Sequence, residues 1–159
     1  MGKNPTDRGK LGTKRSVLTE GSGLPIAVVV DGANRNDFKL ARATLEEAPV
    51  PIPDEETVET VGLCLDKGYD YQEVRDLLDE FGIVPHIRSR GEEKQALKRD
   101  LGHRARRWVV ERVHSWMNRF RRVLVRWEKY AETYIAMLHI ACGIITWRAV
   151  QRAAGGLLK

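Results

Sequence analysis

Residues 61–70, Val61-Gly62-Leu63-Cys64-Leu65-Asp66-Lys67-Gly68-Tyr69-Asp70, decide the fold. From residue 60 the run TVGLCL is continuously apolar and stops abruptly at Asp66. A strand buried on both faces reads as an unbroken apolar run, and such strands are the central strands of parallel sheets. Open α/β sheets gather their chemistry just beyond the carboxyl ends of such strands. Asp66 therefore stands where a functional carboxylate is expected.

Working outward, Asp70 and Glu73 make an Asp-x-x-Glu capping pattern for a helix through Val74, Leu77, Leu78 and Phe81. Gly82 ends it, and residues 83–87 read as a short strand. Upstream, residues 15–20 and the β-branched run 24–30 flank Gly21-Ser22-Gly23, the pattern of an antiparallel hairpin with a loop longer than two residues. Asp37 is placed as the N-cap of a helix running to about residue 48. Residues 49–56 hold three prolines and acidic groups, a surface linker. Residues 1–14 are polar and glycine-rich and read as a loop or arm. Alternating strands and helices imply right-handed crossovers in a mixed α/β sheet.

The chain has 159 residues and a net charge of +5, enough length for one domain with a buried core. Between residues 88 and 129 there are 14 Lys/Arg and 5 Asp/Glu, a balance of +9, while the remainder carries −4. A basic third on a mildly acidic body points to a positive face and a polyanionic partner. Cys64 and Cys142 have no Cys or His neighbours at zinc spacing and read as reduced core residues of a cytosolic protein. No secretory signal pattern opens the sequence. The longest apolar stretch, residues 134–147, is interrupted by His139 and Thr146. It is too short to span about 30 Å of hydrocarbon, so a buried helix is expected and no membrane.

Residues 106–129 are the most informative segment for chemistry. Val109, Val113, Trp116, Met117, Phe120, Val123, Leu124 and Trp127 recur at three- and four-residue steps, one apolar stripe on one helix. Arg107, Glu111, His114, Ser115, Asn118 and Arg122 fall on the opposite, polar side. Glu111 is then either an intrahelical partner of its arginines, worth a few tenths of a kcal/mol, or a second carboxylate able to share a divalent ion with Asp66. Magnesium takes a few carboxylates and completes its shell with water and phosphate. Of the tryptophans, which could stack on bases, Trp116 and Trp127 fall on the stripe and read as core.

Three blocks, in order, carry a resemblance. GKNPTDRGKLGTKRSVLTEGSGLPIAVVVDGANRNDFKL (2–40), VGLCLDKGYD (61–70) and RRWVVERVHSWMNRFRRVLVRWEK (106–129) resemble insertion-sequence transposases of the DDE class, closest to the insertion-sequence-five family. The likeness covers roughly residues 2–150, leaving 151–159 as a tail. It implies a ribonuclease-H-like mixed sheet flanked by helices. It further implies Mg²⁺ or Mn²⁺ dependence and strand cleavage and transfer at transposon ends. The second block looks like the family's second-aspartate strand, with its catalytic and metal-binding Asp at Asp66. The third is similar to its Arg-x-x-x-Glu helix, with Arg107 and the catalytic and metal-binding Glu111. Arg107, Arg112, His114, Asn118, Arg119 and Arg122, with Lys10 and Lys14, are the DNA-binding residues the resemblance suggests.

Two departures accompany it. The family often carries lysine seven residues after the glutamate, where this sequence has Asn118 followed by Arg119. The family's first aspartate lies on a strand upstream of the first block, and neither Asp7 nor Asp31 sits in a matching motif. The expectation is a catalytic domain lacking its first strand and first carboxylate, completed by an upstream half of the transposase and inactive alone. The other reading is a non-catalytic DNA-binding regulator. Expected partners are double-stranded DNA and a second copy as a homodimer, in a bacterial cytoplasm at the nucleoid.

Overall fold

Alternating side chains on the first long strand divide the molecule between two cores. The computed structural model describes residues 1–5, 7–49, 61–87 and 108–157. β1 (Gly2–Lys3), β2 (Leu11–Thr19) and β3 (Pro25–Gly32) form an antiparallel sheet with β2 in the middle. Residues 1–14 are therefore not an arm. The Asn4 N–H donates to the Lys10 carbonyl (2.8 Å), and Arg8 (φ 51°) and Gly9 (φ 70°) make the left-handed turn. With only two paired residues on β1 there is no alternation for periodicity to detect. The expected β2–β3 hairpin is present, and its turn is tied by the Glu20 carboxylate, which accepts from the Ser22 and Leu24 amides at 2.8 Å each.

Asp37 opens a 3-10 turn (Asp37–Leu40) that runs into α1 (Ala41–Glu46). It is not the cap. Asn36 holds that position without a side-chain bond, and the Asp37 carboxylate pairs with Lys14 at 3.1 Å. β4 (Val61–Leu65) and β5 (Ile83–Ile87) are parallel, as their crossover through α2 (Gln72–Glu80) requires. Gly82 (φ 65°) closes α2 in the left-handed conformation that glycine adopts without strain. The Asp-x-x-Glu cap does not form: Tyr71 is the N-cap, and Asp70 accepts from Arg75 at 2.6 Å.

The expected single mixed sheet is, among the described residues, two sheets, because no ladder joins β2 to β4. Nor is β4 buried on both faces. Val61, Leu63 and Leu65 turn inward while Gly62 and Cys64 are exposed. Cys64 is thus a surface thiol rather than a core residue.

The helix expected over 106–129 is broken into α3 (Trp108–Met117) and α4 (Arg121–Leu124), followed by α5 (Ala131–Leu157). The Arg119 and Phe120 amides reach only three residues back, to Trp116 (3.2 Å) and Met117 (3.0 Å), and Phe120 is extended (ψ 108°). The Tyr134 hydroxyl donates to the Val123 carbonyl (2.9 Å), the acceptor that a continuing helix would use internally. Val123 is thereby folded onto Val113, Met117 and Leu138, while Trp127 is left 72% exposed. Trp127 therefore does not belong to the core, against the stripe reading.

The two cores meet at β2. Val17 packs against the cluster that holds Val28, Val113, Met117, Val123 and Leu138, and its neighbour Leu18 against the cluster of Leu45, Val74, Leu77, Leu78 and Ile83. Each fully buried Leu or Met stabilises by about 1.5–3 kcal/mol. The apolar stretch 134–147 is part of a longer helix than expected, and only one face of it is buried. Residues Ala131–Gly155 are long and apolar enough to cross a membrane by composition, with a mean hydropathy of 1.3, but Tyr134, Leu138, Ala141 and Ile145 are packed into the core.

Candidate active site

Asp66 leaves β4 in extended conformation (ψ 169°) and caps the 3-10 turn Lys67–Tyr69, its Oδ1 accepting from the Gly68 amide at 2.8 Å. A side chain at residue 68 would bring a Cβ within 2.9 Å of that oxygen, so the glycine keeps the turn close to the carboxylate. The turn then presents Tyr69 to the first sheet. Burial raises its phenol to about 12, helped by the Asp37 and Asp66 carboxylates and opposed by a hydrogen bond with Ser16. Asp66 thus stands with Asp37 around one neutral tyrosine.

Asp37 belongs to a chain of charges along the end of β3. Lys14 Nζ pairs with it and also donates to the Arg35 carbonyl at 2.7 Å. Arg35 Nε donates to Asp31 Oδ2 at 2.8 Å, and the Gly32 amide to Asp31 Oδ1 at 2.6 Å. Those two donors, the amide first, hold the Asp31 carboxyl below its ordinary range. Sequence reasoning assigned Asp37 a cap and missed its place beside Asp66. The signal lies only in the packing of one 3-10 turn on the other.

Glu111 is exposed on α3, which lies on β2 and α5. Among the described residues no group of three or more His, Cys, Asp or Glu stands close enough to share a metal ion. Asp66 and Glu111 are exposed carboxylates, the hard oxygen donors that magnesium and manganese take with water and phosphate. Each carboxylate, taken singly, fits those ions in kind.

The cationic residues are distributed unevenly. Arg107 lies outside the described residues. Arg112 donates to the Ser22 carbonyl and stacks over the Trp116 ring (4.8 Å), so its guanidinium is engaged with the β2–β3 turn. His114 is half-buried, and burial, then the nearby Arg15 charge, lowers its pKa. Asn118 accepts from Arg15 Nη2 at 2.9 Å. Arg15 Nη1 is buried with no hydrogen-bond partner among the described residues.

Arg119, Arg121 and Arg122 are exposed, and Arg122 approaches the buried Glu128 at 3.6 Å. A few residues further along the chain are the exposed rings of Trp127 (72%) and Tyr130 (64%), with Lys129 Nζ 5.9 Å from the latter. Cations interleaved with exposed aromatic rings are the composition of a nucleic-acid surface. The sequence hid the exposed ring because the unbroken stripe assigned Trp127 to the core. Of the two lysines upstream, Lys10 is exposed 3.6 Å from Asp7, and Lys14 is held by Asp37.

Residues 2–145 match the sequence profile of the family described as transposase DDE domain. The chain is 34% identical, over 96% of its length and 71% of the relative's, to a protein of Burkholderia cepacia assigned as the transposase for insertion sequence element IS402. No solved structure matches it.

Proposed function

The chain belongs to the transposase DDE-domain family, and from that membership we propose that it cleaves and rejoins DNA strands at the ends of an insertion sequence. Asp66 and Glu111 are its catalytic and metal-binding carboxylates, on a ribonuclease-H-like domain spanning residues 1–150. The observation that carries this reading is the position of Asp66, exposed at the carboxyl end of a strand in a parallel pair, with its carboxylate accepting from the Gly68 amide of the turn that follows. A divalent ion, Mg²⁺ or Mn²⁺, when bound, polarises the phosphodiester and lowers the pKa of the attacking water.

The chain's own residues do the rest. Gly68 fixes the Asp66 carboxylate, and Tyr69, neutral at physiological pH, brings no further charge beside it. Arg119, Arg121 and Arg122 hold phosphates, with Arg107 added by the resemblance, and Trp127 and Tyr130 lie against the bound DNA. A third carboxylate, on a strand lying between the unjoined β2 and β4, completes the site. The enzyme acts in the cytoplasm on nucleoid DNA.

A fusion supplying that strand is expected to nick insertion-sequence-end DNA with Mg²⁺. Asp66→Ala and Glu111→Ala should each abolish nicking while DNA binding persists. Undiminished cleavage in both variants overturns the assignment.

A second reading, a DNA-binding regulator without catalysis, rests on the exposed Arg119, Arg121 and Arg122 and the exposed ring of Trp127, which need no carboxylate to hold DNA. It predicts salt-sensitive binding, as counterion release demands, with no cleavage from any fusion.

A further inference from the structure

α5 has two apolar faces, and the protein buries one. Tyr134, Leu138, Ala141 and Ile145 pack into the core. Ala136, Ile140, Gly143, Trp147, Val150 and Ala154 are all exposed, Ile140 to 55%, Trp147 to 62% and Val150 to 51%. These six recur at alternating steps of four and three residues, the spacing of a seam between paired helices. Residues 133–147 carry no charged side chain. The exposed band runs about 27 Å along the helix. A contiguous exposed apolar band is the kind of surface that often serves as an interaction site.

Gly143 sharpens the point. A Cβ there would meet nothing within 4 Å, so the packing of this chain does not require glycine. Glycine inside a helix costs about 1 kcal/mol relative to alanine. A second backbone approaching closely at that point supplies the missing reason.

We propose that this face docks a second copy of the chain, the two α5 helices lying antiparallel across a two-fold axis next to Gly143. The seam is self-complementary in that direction, as a two-fold contact requires. Trp147 of each copy lies against Ile140 of the other, and Val150 against Ala136 and Met137, large beside small, with Gly143 at the point of closest approach. A parallel pair would instead stack Trp147 on Trp147 and leave a hole at Gly143.

Charge agrees. Glu132 stands at one end of the helix and Arg148 and Arg152 toward the other, so antiparallel docking sets acid near base and parallel docking sets arginine on arginine. The flanking side chains Met137, His139, Ile144, Thr146, Gln151 and Ala153 add no Asp, Glu, Lys or Arg to repel. The seam with its flanks buries on the order of 1,000 Å² in total, the lower limit for a specific interface. The packing of the opposite face into the core separates this docking from insertion into lipid. The interface does not rest on the DNA chemistry proposed above.

Sedimentation velocity on the full chain from about 1 to about 100 μM should show a monomer–dimer equilibrium. Ile140→Glu and Trp147→Glu should each weaken it at least about 30-fold, the loss a hot-spot residue carries, with unchanged circular dichroism because both side chains are exposed. In a Cys64→Ser, Cys142→Ser background, Gly143→Cys should cross-link under mild oxidation and Val150→Cys should not. Monomer at every concentration, dimers indifferent to both charge substitutions, or equal cross-linking at 143 and 150 would overturn the proposal. So would co-sedimentation of a monomeric protein with phosphatidylglycerol–phosphatidylethanolamine vesicles that the Trp147→Glu change abolishes.

Discussion

Met117→Ala and Trp127→Ala, compared side by side, test the break between α3 and α4. Met117 is 0% exposed and Trp127 72% exposed. Truncating a fully buried Met removes its transfer energy and leaves a cavity, about 2–5 kcal/mol. Truncating a side chain that stands in solvent changes stability by roughly 0.5 kcal/mol or less. Were residues 106–129 one helix, Trp127 would sit on the buried stripe, and its loss would cost about 3–5 kcal/mol. The two geometries thus differ by several kcal/mol at one residue.

Urea unfolding followed by circular dichroism at one protein concentration measures both variants. Met117→Ala should lower the midpoint with an unchanged slope, and lower Tm by on the order of 5–15 °C for a chain of this size. Trp127→Ala should leave both within error of the parent. A Trp127→Ala loss equal to that of Met117→Ala would refute the broken helix and restore the continuous stripe.

Gly68→Ala puts a Cβ 2.9 Å from Asp66 Oδ1. It should reduce nicking by the completed enzyme several-fold while Tm stays within a few degrees, measured on the same preparation. His114 has a folded pKa below its ordinary 6.5, from burial and then Arg15, so the unfolded chain binds the proton more readily. The stability this confers is complete above pH 6.5 and is lost as pH falls toward the folded pKa. Urea midpoints at pH 8.0 and 5.5 should therefore drop more for the parent than for His114→Gln, and equal drops would rule the histidine out. Cys64 is exposed, whereas burial pushes the Cys142 thiol up to about 11. Iodoacetamide at pH 8 should alkylate Cys64 first, as peptide mass spectrometry would report.

Local signals made much of the fold legible. Gly21-Ser22-Gly23 between a short strand candidate and a β-branched run gave the hairpin, Gly82 gave the end of α2, and the apolar run into Asp66 gave β4 and its parallel partner. What the sequence concealed depends on contacts between distant residues. The turn after Met117 is held by Arg15 reaching Asn118, 103 residues away, and by the Tyr134 hydroxyl on the Val123 carbonyl. A periodic stripe has no means of showing that one of its own carbonyls is claimed from outside. For Asp37, both the cap and the neighbour of Asp66 begin with a carboxylate before a helical turn, and only the ion pair with Lys14 separates them. On α5, apolar composition says that a surface is to be covered, without saying whether its own chain covers it.

Val17 and Leu18, adjacent on β2, feed opposite cores. Side chains on a strand alternate with a period of two, so displacing the strand by one residue exchanges its faces. Gain or loss of a single codon between Lys14 and Leu18 would therefore damage both cores together. The same lesion in the exposed turn at Gly21 and Ser22 would displace neither. Point substitutions at Val17 or Leu18 would wound one half each; only a change in length reaches both.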